Sequence, residues 1–115
     1  MIAVLFEVQP KPGHLQSYLD IAASLRHELE RIDGFISVER FQSLTHEGKY
    51  LSVSFFRDEE ALTEWRQLQP HKAAQQTGRE NLFEDYRIRV ASVMRDYSML
   101  DRAQAPMSSR DTPKD

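Results

Sequence analysis

Residues 13–43, GHLQSYLDIAASLRHELERIDGFISVERFQS, are the stretch whose reading decides the fold. Leu15, Leu19, Ala22, Leu25, Leu29 and Ile32 recur at spacings of three and four, while Gln16, Asp20, Ser24, Arg26, His27, Glu28 and Glu30 fill the opposite side. A period near 3.6 with a single apolar stripe predicts an amphipathic helix of about five turns starting at His14. Asp33-Gly34 closes it, because glycine adopts the left-handed backbone past a helix end without a Cβ clash. The period then drops to two. Phe35, Ser37, Glu39 and Phe41 alternate with Ile36, Val38 and Arg40, which predicts a strand running to Leu44.

Towards the N-terminus, Ile2, Val4, Phe6 and Val8 alternate with Ala3, Leu5 and Glu7. That strand is apolar on both faces over most of its length, and Pro10, Pro12 and Gly13 stop it. Glu7 is its one unexpected carboxylate, best placed at a partly wet strand end, since burial would demand a partner or a raised pKa. Towards the C-terminus, the turn His46-Glu47-Gly48-Lys49 leads into a third strand, Tyr50 to Phe56, which makes a β-hairpin with the second. Asp58 stands at an N-cap position ahead of an apolar stripe of Ala61, Leu62 and Trp65. Pro70 interrupts that helix, and a second helical piece, about His71 to Gln76, precedes Gly78. Leu82 and Phe83 lead into a last strand, Tyr86 to Tyr97, with Tyr86, Ile88, Val90 and Met94 opposed by Arg87, Arg89, Ala91, Val93 and Arg95.

The order β-α-β-β-α-β is that of a ferredoxin-like α+β domain: an antiparallel sheet with its helices on one face. One helical layer shelters one side of the sheet, yet Leu5, Phe35, Phe41, Phe55, Phe56, Tyr86 and Val93 spread over both. At ~25 cal/mol per Å², covering a few hundred Å² of apolar sheet is favourable by several kcal/mol. Contiguous patches of that kind mark interfaces, and the expectation is a homodimer related by a two-fold axis, two sheets closing a shared α+β barrel. The domain is read as 1–97. Residues 98–115 hold Pro106, Ser108, Ser109, Thr112 and Pro113 with few large apolar groups, the composition of a flexible tail.

A chain of 115 residues suits one domain, and a net charge of -3 gives no pull towards nucleic acid. The longest apolar run, Ile2 to Phe6, falls far short of the ~20 residues that span a bilayer, so no membrane partner is expected. Absence of cysteine excludes disulfides, thiolate metal sites and cysteine nucleophiles. With an N-terminus, MIAVLFEV, that lacks a basic signal-peptide region, the expected location is the cytoplasm.

Three segments carry a resemblance: the helix-to-strand stretch above, LSVSFFRDEEALTEWR (51–66) and HKAAQQTGRENLFEDYRIRVASVMRDY (71–97). Their joint order resembles the antibiotic biosynthesis monooxygenase family of small dimeric α+β barrels over about residues 1 to 97. The resemblance implies a pocket between sheet and helices. Its relatives either oxidise polycyclic aromatic molecules with oxygen and no metal or flavin, or capture and degrade haem. The haem-degrading branch uses a first-strand asparagine with a tryptophan and a ligating histidine near the second helix. Here the first strand offers Phe6 and Glu7, and Trp65 and His71 stand six residues apart across Pro70. The other branch asks for a desolvated pocket, aromatic walls and a polar group to take a proton.

The expected function is therefore a cofactor-independent monooxygenase acting with O2 on a small aromatic or quinol-like molecule. The alternative is a barrel that binds haem or another hydrophobic ligand without turnover. Candidate catalytic residues are His71, with an intrinsic pKa suited to a base, and Trp65, whose indole can donate to substrate. The more ordinary reading of Trp65 is core packing, and that of His71 an exposed or capping residue. Phe83, Tyr86 and Arg79 are candidate substrate contacts, with core packing and pairing to Glu80, Glu84 or Asp85 as the alternatives. No second histidine lies at i+4 from His71, so no helical metal site is expected.

Overall fold

The computed structural model describes residues 1–107. Strand β1 (Ile2–Pro10) leads to helix α1 (Leu15–Glu30), then the hairpin of β2 (Phe35–Gln42) and β3 (Tyr50–Phe56). Helices α2 (Glu59–Gln67) and α3 (Gln69–Thr77) follow, then a single π-type turn (Gly78–Leu82) and β4 (Phe83–Ser92). The sheet order is β2-β3-β1-β4 with every neighbouring pair antiparallel. This is the ferredoxin-like α+β arrangement read from the sequence.

Strand registers sort the side chains. Val38, Ser54, Val4 and Val90 form one row across the sheet, and Arg40, Ser52, Phe6 and Ile88 the next, both facing the helices. Leu5, Val53, Glu39 and Arg89 share a row on the opposite face. The core lies on the helical side, where Leu29, Ile32, Phe56, Ala61, Leu62 and Trp65 pack together over Ile2, Val4, Phe35 and Val38. Phe56 is 1% exposed and stands edge-on to Phe35 at 5.9 Å. Gly34 makes the turn from α1 into β2 with φ +94°, and a Cβ there would lie 2.9 Å from that of Ala61. Only glycine meets both demands.

Local capping follows the sequence. The Asp58 carboxylate accepts from the Ala61 amide at 2.9 Å, which with Arg57 holds its pKa below the usual carboxylate value. The helix break falls at Leu68, whose backbone is extended, and Pro70 sits in the first turn of α3, where a missing N–H costs nothing.

Three boundaries differ from the sequence reading. β2 ends at Gln42 rather than Leu44, which is fully exposed in the hairpin loop. β4 spans Phe83–Ser92 rather than Tyr86 to Tyr97. Its limits are set by β1: Pro10 pairs Phe83 at one end, Ile2 pairs Ser92 at the other, and the Val93 amide donates to the Met1 carbonyl as the last bond. The apolar–arginine alternation continues past Ser92, but among the described residues no partner strand remains to bond it. Glu7 is not at a strand end: it lies within β1 between Lys49 Nζ at 3.7 Å and Arg89 Nη1 at 3.0 Å.

Where composition reads a flexible tail from Ser98, hydrogen-bonded turns run as far as Met107. The Asp96 amide donates to Gln104 Oε1, Ala105 is fully buried, and the Arg102 guanidinium stacks 5.2 Å from the Tyr97 ring centre. Residues 108–115 of that segment lie outside the described residues. Among the described residues, no helix is long and apolar enough to cross a membrane.

Candidate functional site

Between the helices and the sheet lies an open cavity of about 550 Å³, within the size range of small-molecule sites. Its floor is the two central rows of the sheet. Its roof comes from α1 (Tyr18, Leu19, Ala22, Leu25, Arg26, Leu29), α2 (Leu62, Trp65, Arg66) and α3 (His71, Ala74, Gln75), and Gly78, Leu82 and Phe83 close one end. The cavity exists because β4 reaches beyond the cover of the helices: Ile88 and Val90 face this side yet remain 44% and 49% exposed. The walls are aromatic at both ends. Phe6, Tyr18 and Phe83 form a triangle with centroids 5.6–6.4 Å apart, and Trp65 and His71 lie ring against ring at 4.6 Å.

The Leu68 break folds α3 back on α2, which brings His71 onto Trp65. Burial disfavours the charged imidazole, the nearby Arg66 guanidinium disfavours it further, and together they push the His71 pKa down to about 4. At neutral pH the ring is uncharged on the wall of a mostly apolar chamber, and the same depression makes it a weaker proton acceptor than an ordinary histidine.

Of the five residues singled out in the sequence, the structure brings Trp65, His71 and Phe83 onto one cavity. Tyr86 stands at its margin, with its ring 6.0 Å from those of Phe6 and Phe83, and is 40% exposed. Arg79 does not line the cavity. One residue on from Gly78, the turn carries its side chain round to solvent, and no ion pair to Glu80, Glu84 or Asp85 forms; Glu80 instead accepts from Gln76 at 3.3 Å.

Gly78 is the tightest point: a Cβ there would collide with the Phe83 ring. The π-type turn that contains it is a conformation common at functional sites. Sequence reasoning missed the polar side of the floor, Arg40, Ser52 and Ser54, although strand alternation already put Arg40 on the face of Val38. Among the described residues, no group of three or more His, Cys, Asp or Glu is placed to hold a metal ion. The cavity face of β1 offers Val4 and Phe6, where the haem-degrading branch would present an asparagine.

The sequence profile described as antibiotic biosynthesis monooxygenase matches residues 1–77. A jasmonate monooxygenase from Pyricularia oryzae is 50% identical over 93 residues, 81% of this chain and 43% of that protein. An uncharacterized Bacillus subtilis protein, YqjZ, is 36% identical over 62 residues, 54% of this chain and 53% of its own length. The chain thus spans about half the length of the curated relatives it matches. Among solved structures, Rv0793 from Mycobacterium tuberculosis superposes with a TM-score of 0.74 at 18% identity, over 84% of this chain and 98% of that one. With the helix-covered cavity, the strand order and the match over residues 1–77 in agreement, the chain belongs to the antibiotic biosynthesis monooxygenase family.

Proposed function

We propose that the protein is a cofactor-independent monooxygenase that oxidises a small aromatic or quinol-like molecule with O2 in the cavity beneath α1–α3. The observation that carries this reading is the tilted contact of the Trp65 and His71 rings, with an uncharged imidazole on the wall of a mostly apolar chamber. Family membership and a relative named as a monooxygenase support it.

In this reading His71 removes a proton from an acidic C–H of the substrate, and the Arg66 charge that depresses the His71 pKa also stabilises the anion formed. The carbanion passes one electron to O2, the radical pair combines to a carbon-bound peroxide, and His71 returns its proton to the distal oxygen. Loss of the second C–H proton as the O–O bond breaks gives a carbonyl and water. One oxygen atom ends in product, one in water, and the substrate supplies all the electrons. The aromatic walls exclude solvent, and the Trp65 indole can hold a substrate oxygen.

The test is oxygen uptake on a panel of anthrones, whose ring CH2 supplies both protons of the step, without added flavin, nicotinamide or metal. Uptake of one O2 per carbonyl formed is expected, falling by about 10²-fold or more in His71→Ala. Unchanged rates in that variant remove His71 from the mechanism, and uptake only with an added reductant overturns cofactor independence. A hemin titration accompanies it: a Soret shift would favour capture without turnover.

The active form is proposed to be a homodimer, as is common in the family. The face of the sheet away from the helices carries Leu5, Leu51, Val53 and Phe55, with Phe41 47% exposed. Light scattering coupled to size exclusion should give twice the protomer mass; a monomer at micromolar concentration overturns this.

A further inference from the structure

The charges on the cavity wall are of one sign. The chain carries 18 acidic and 15 basic side chains, yet among the described residues every charged group lining this cavity is an arginine: Arg26, Arg40 and Arg66. Two of the three have an evident occupation. Arg26 Nε donates to Glu30 Oε1 at 2.9 Å, one helical turn on, and the charge of Arg66 bears on His71.

Arg40 has neither. It stands exposed on the edge strand β2, at the open rim of the cavity floor, next to Ser52 on β3, with Ser54 two residues further along the same strand and face. Among the described residues, neither the Arg40 guanidinium nor either hydroxyl has a hydrogen-bond or ion-pair partner. A guanidinium fork presents paired donors matched to a carboxylate, and each serine hydroxyl can add one more. The rest of the floor has no polar side chain: Val38, Val4, Phe6, Ile88 and Val90. From Arg40 to Ile88 is three inter-strand steps, roughly 14 Å at the usual strand spacing, the length of a small fused-ring acid.

We propose that Arg40, Ser52 and Ser54 form an anion seat, so that the cavity takes amphipathic monocarboxylic acids, the carboxylate on β2–β3 and the apolar ring body on β1–β4. This rests on the reading of the cavity as the substrate site and adds the chemical class that fills it. The seat fixes which end of the ligand enters first and leaves the ring body for the Trp65–His71 wall.

The test uses anthraquinone-2-carboxylate and its methyl ester, which share a ring system and differ in charge. Trp65 is the sole tryptophan of the chain and lines the cavity, so its quenching reads occupancy directly. At neutral pH and low salt the acid is expected to bind about tenfold or more tightly than the ester, the scale of a charge-assisted pair. Arg40→Met should erase that preference while leaving ester affinity in place, Arg40→Lys should restore part of it, and Ser52→Ala/Ser54→Ala together should reduce it. Arg87→Met, on the other face of the sheet, should leave it unchanged. Equal binding of acid and ester by the native protein, or a preference that survives Arg40→Met, overturns the seat while the cavity stands. Absence of quenching by either compound overturns both the seat and the reading of the cavity on which it rests.

Discussion

Glu7 and Arg40 project from opposite faces of one sheet, and their surroundings treat them in opposite ways. On the open face, Glu7 is held from two sides by Lys49 and Arg89, so its charge is met within the protein. On the face towards the helices, Arg40 stands exposed beside two serine hydroxyls, with no acid in the lining among the described residues. A charge answered by its neighbours serves structure. A charge beside a cavity with donors around it and no acceptor is available to something that enters.

The sharpest way to break this contrast is to ask which face folds the protein. Phe56→Ala, in the core beneath the helices, should cost about 3–5 kcal/mol, whereas Phe41→Ala on the open face should cost under about 1 kcal/mol in dilute solution. Both are read by denaturant titration. Equal losses would mean that the open face is as tightly packed as the covered one, and a Phe41→Ala loss that grows with protein concentration would show a second copy seated there.

Next in size is Gly78→Ala. The added methyl meets the Phe83 ring, and relief by displacing that ring into the cavity should cost about 1–3 kcal/mol and weaken ligand quenching of Trp65. Unchanged stability and binding would mean that the end wall yields freely.

His71 links the covered face to pH. Folded, it takes a proton only near pH 4; unfolded, near 6.5. Stability is therefore full above pH 6.5 and falls as the pH drops towards 4, because the unfolded chain binds the proton first. Partial solvent access limits the loss to ~1 kcal/mol, and His71→Leu should flatten the profile over that window. The smallest effect is expected at Glu7→Gln, about 0.5 kcal/mol, with acid-over-ester preference untouched. A change in that preference would mean that the two faces communicate.

Much of the fold was legible because the covered face imposes its period on the chain. The stripe from Leu15 to Ile32, the alternation in β1 and the Asp58 cap each state their own element. The ends of β4 were not, since its length depends on how far β1 extends rather than on anything in residues 93–97. Within the site, Trp65, His71 and Phe83 stand out as large or titratable residues near a helix break, which is a local signal. Arg40, Ser52 and Ser54 gave no such signal. On a strand, a polar residue at alternate positions looks the same whether it faces water or a cavity, and only the register between β2 and β3 brings these three together. Arg79 misled for the converse reason: its neighbour Gly78 meets the cavity, but one step round a helical turn points elsewhere.

Glu7 has a second consequence through pairing geometry. It lies opposite Leu51 on β3 and Arg87 on β4, while its cations come from two residues away along each neighbouring segment, Lys49 just before β3 and Arg89 on β4. Such diagonal partners meet only when all three strands are aligned. Sliding either neighbour by a single residue would send its cation to the reverse side and leave the carboxylate with one partner in place of two. The carboxylate thus acts as a keyed pin for the sheet, penalising the misaligned forms in which Phe6 and Arg40 could no longer share one chamber.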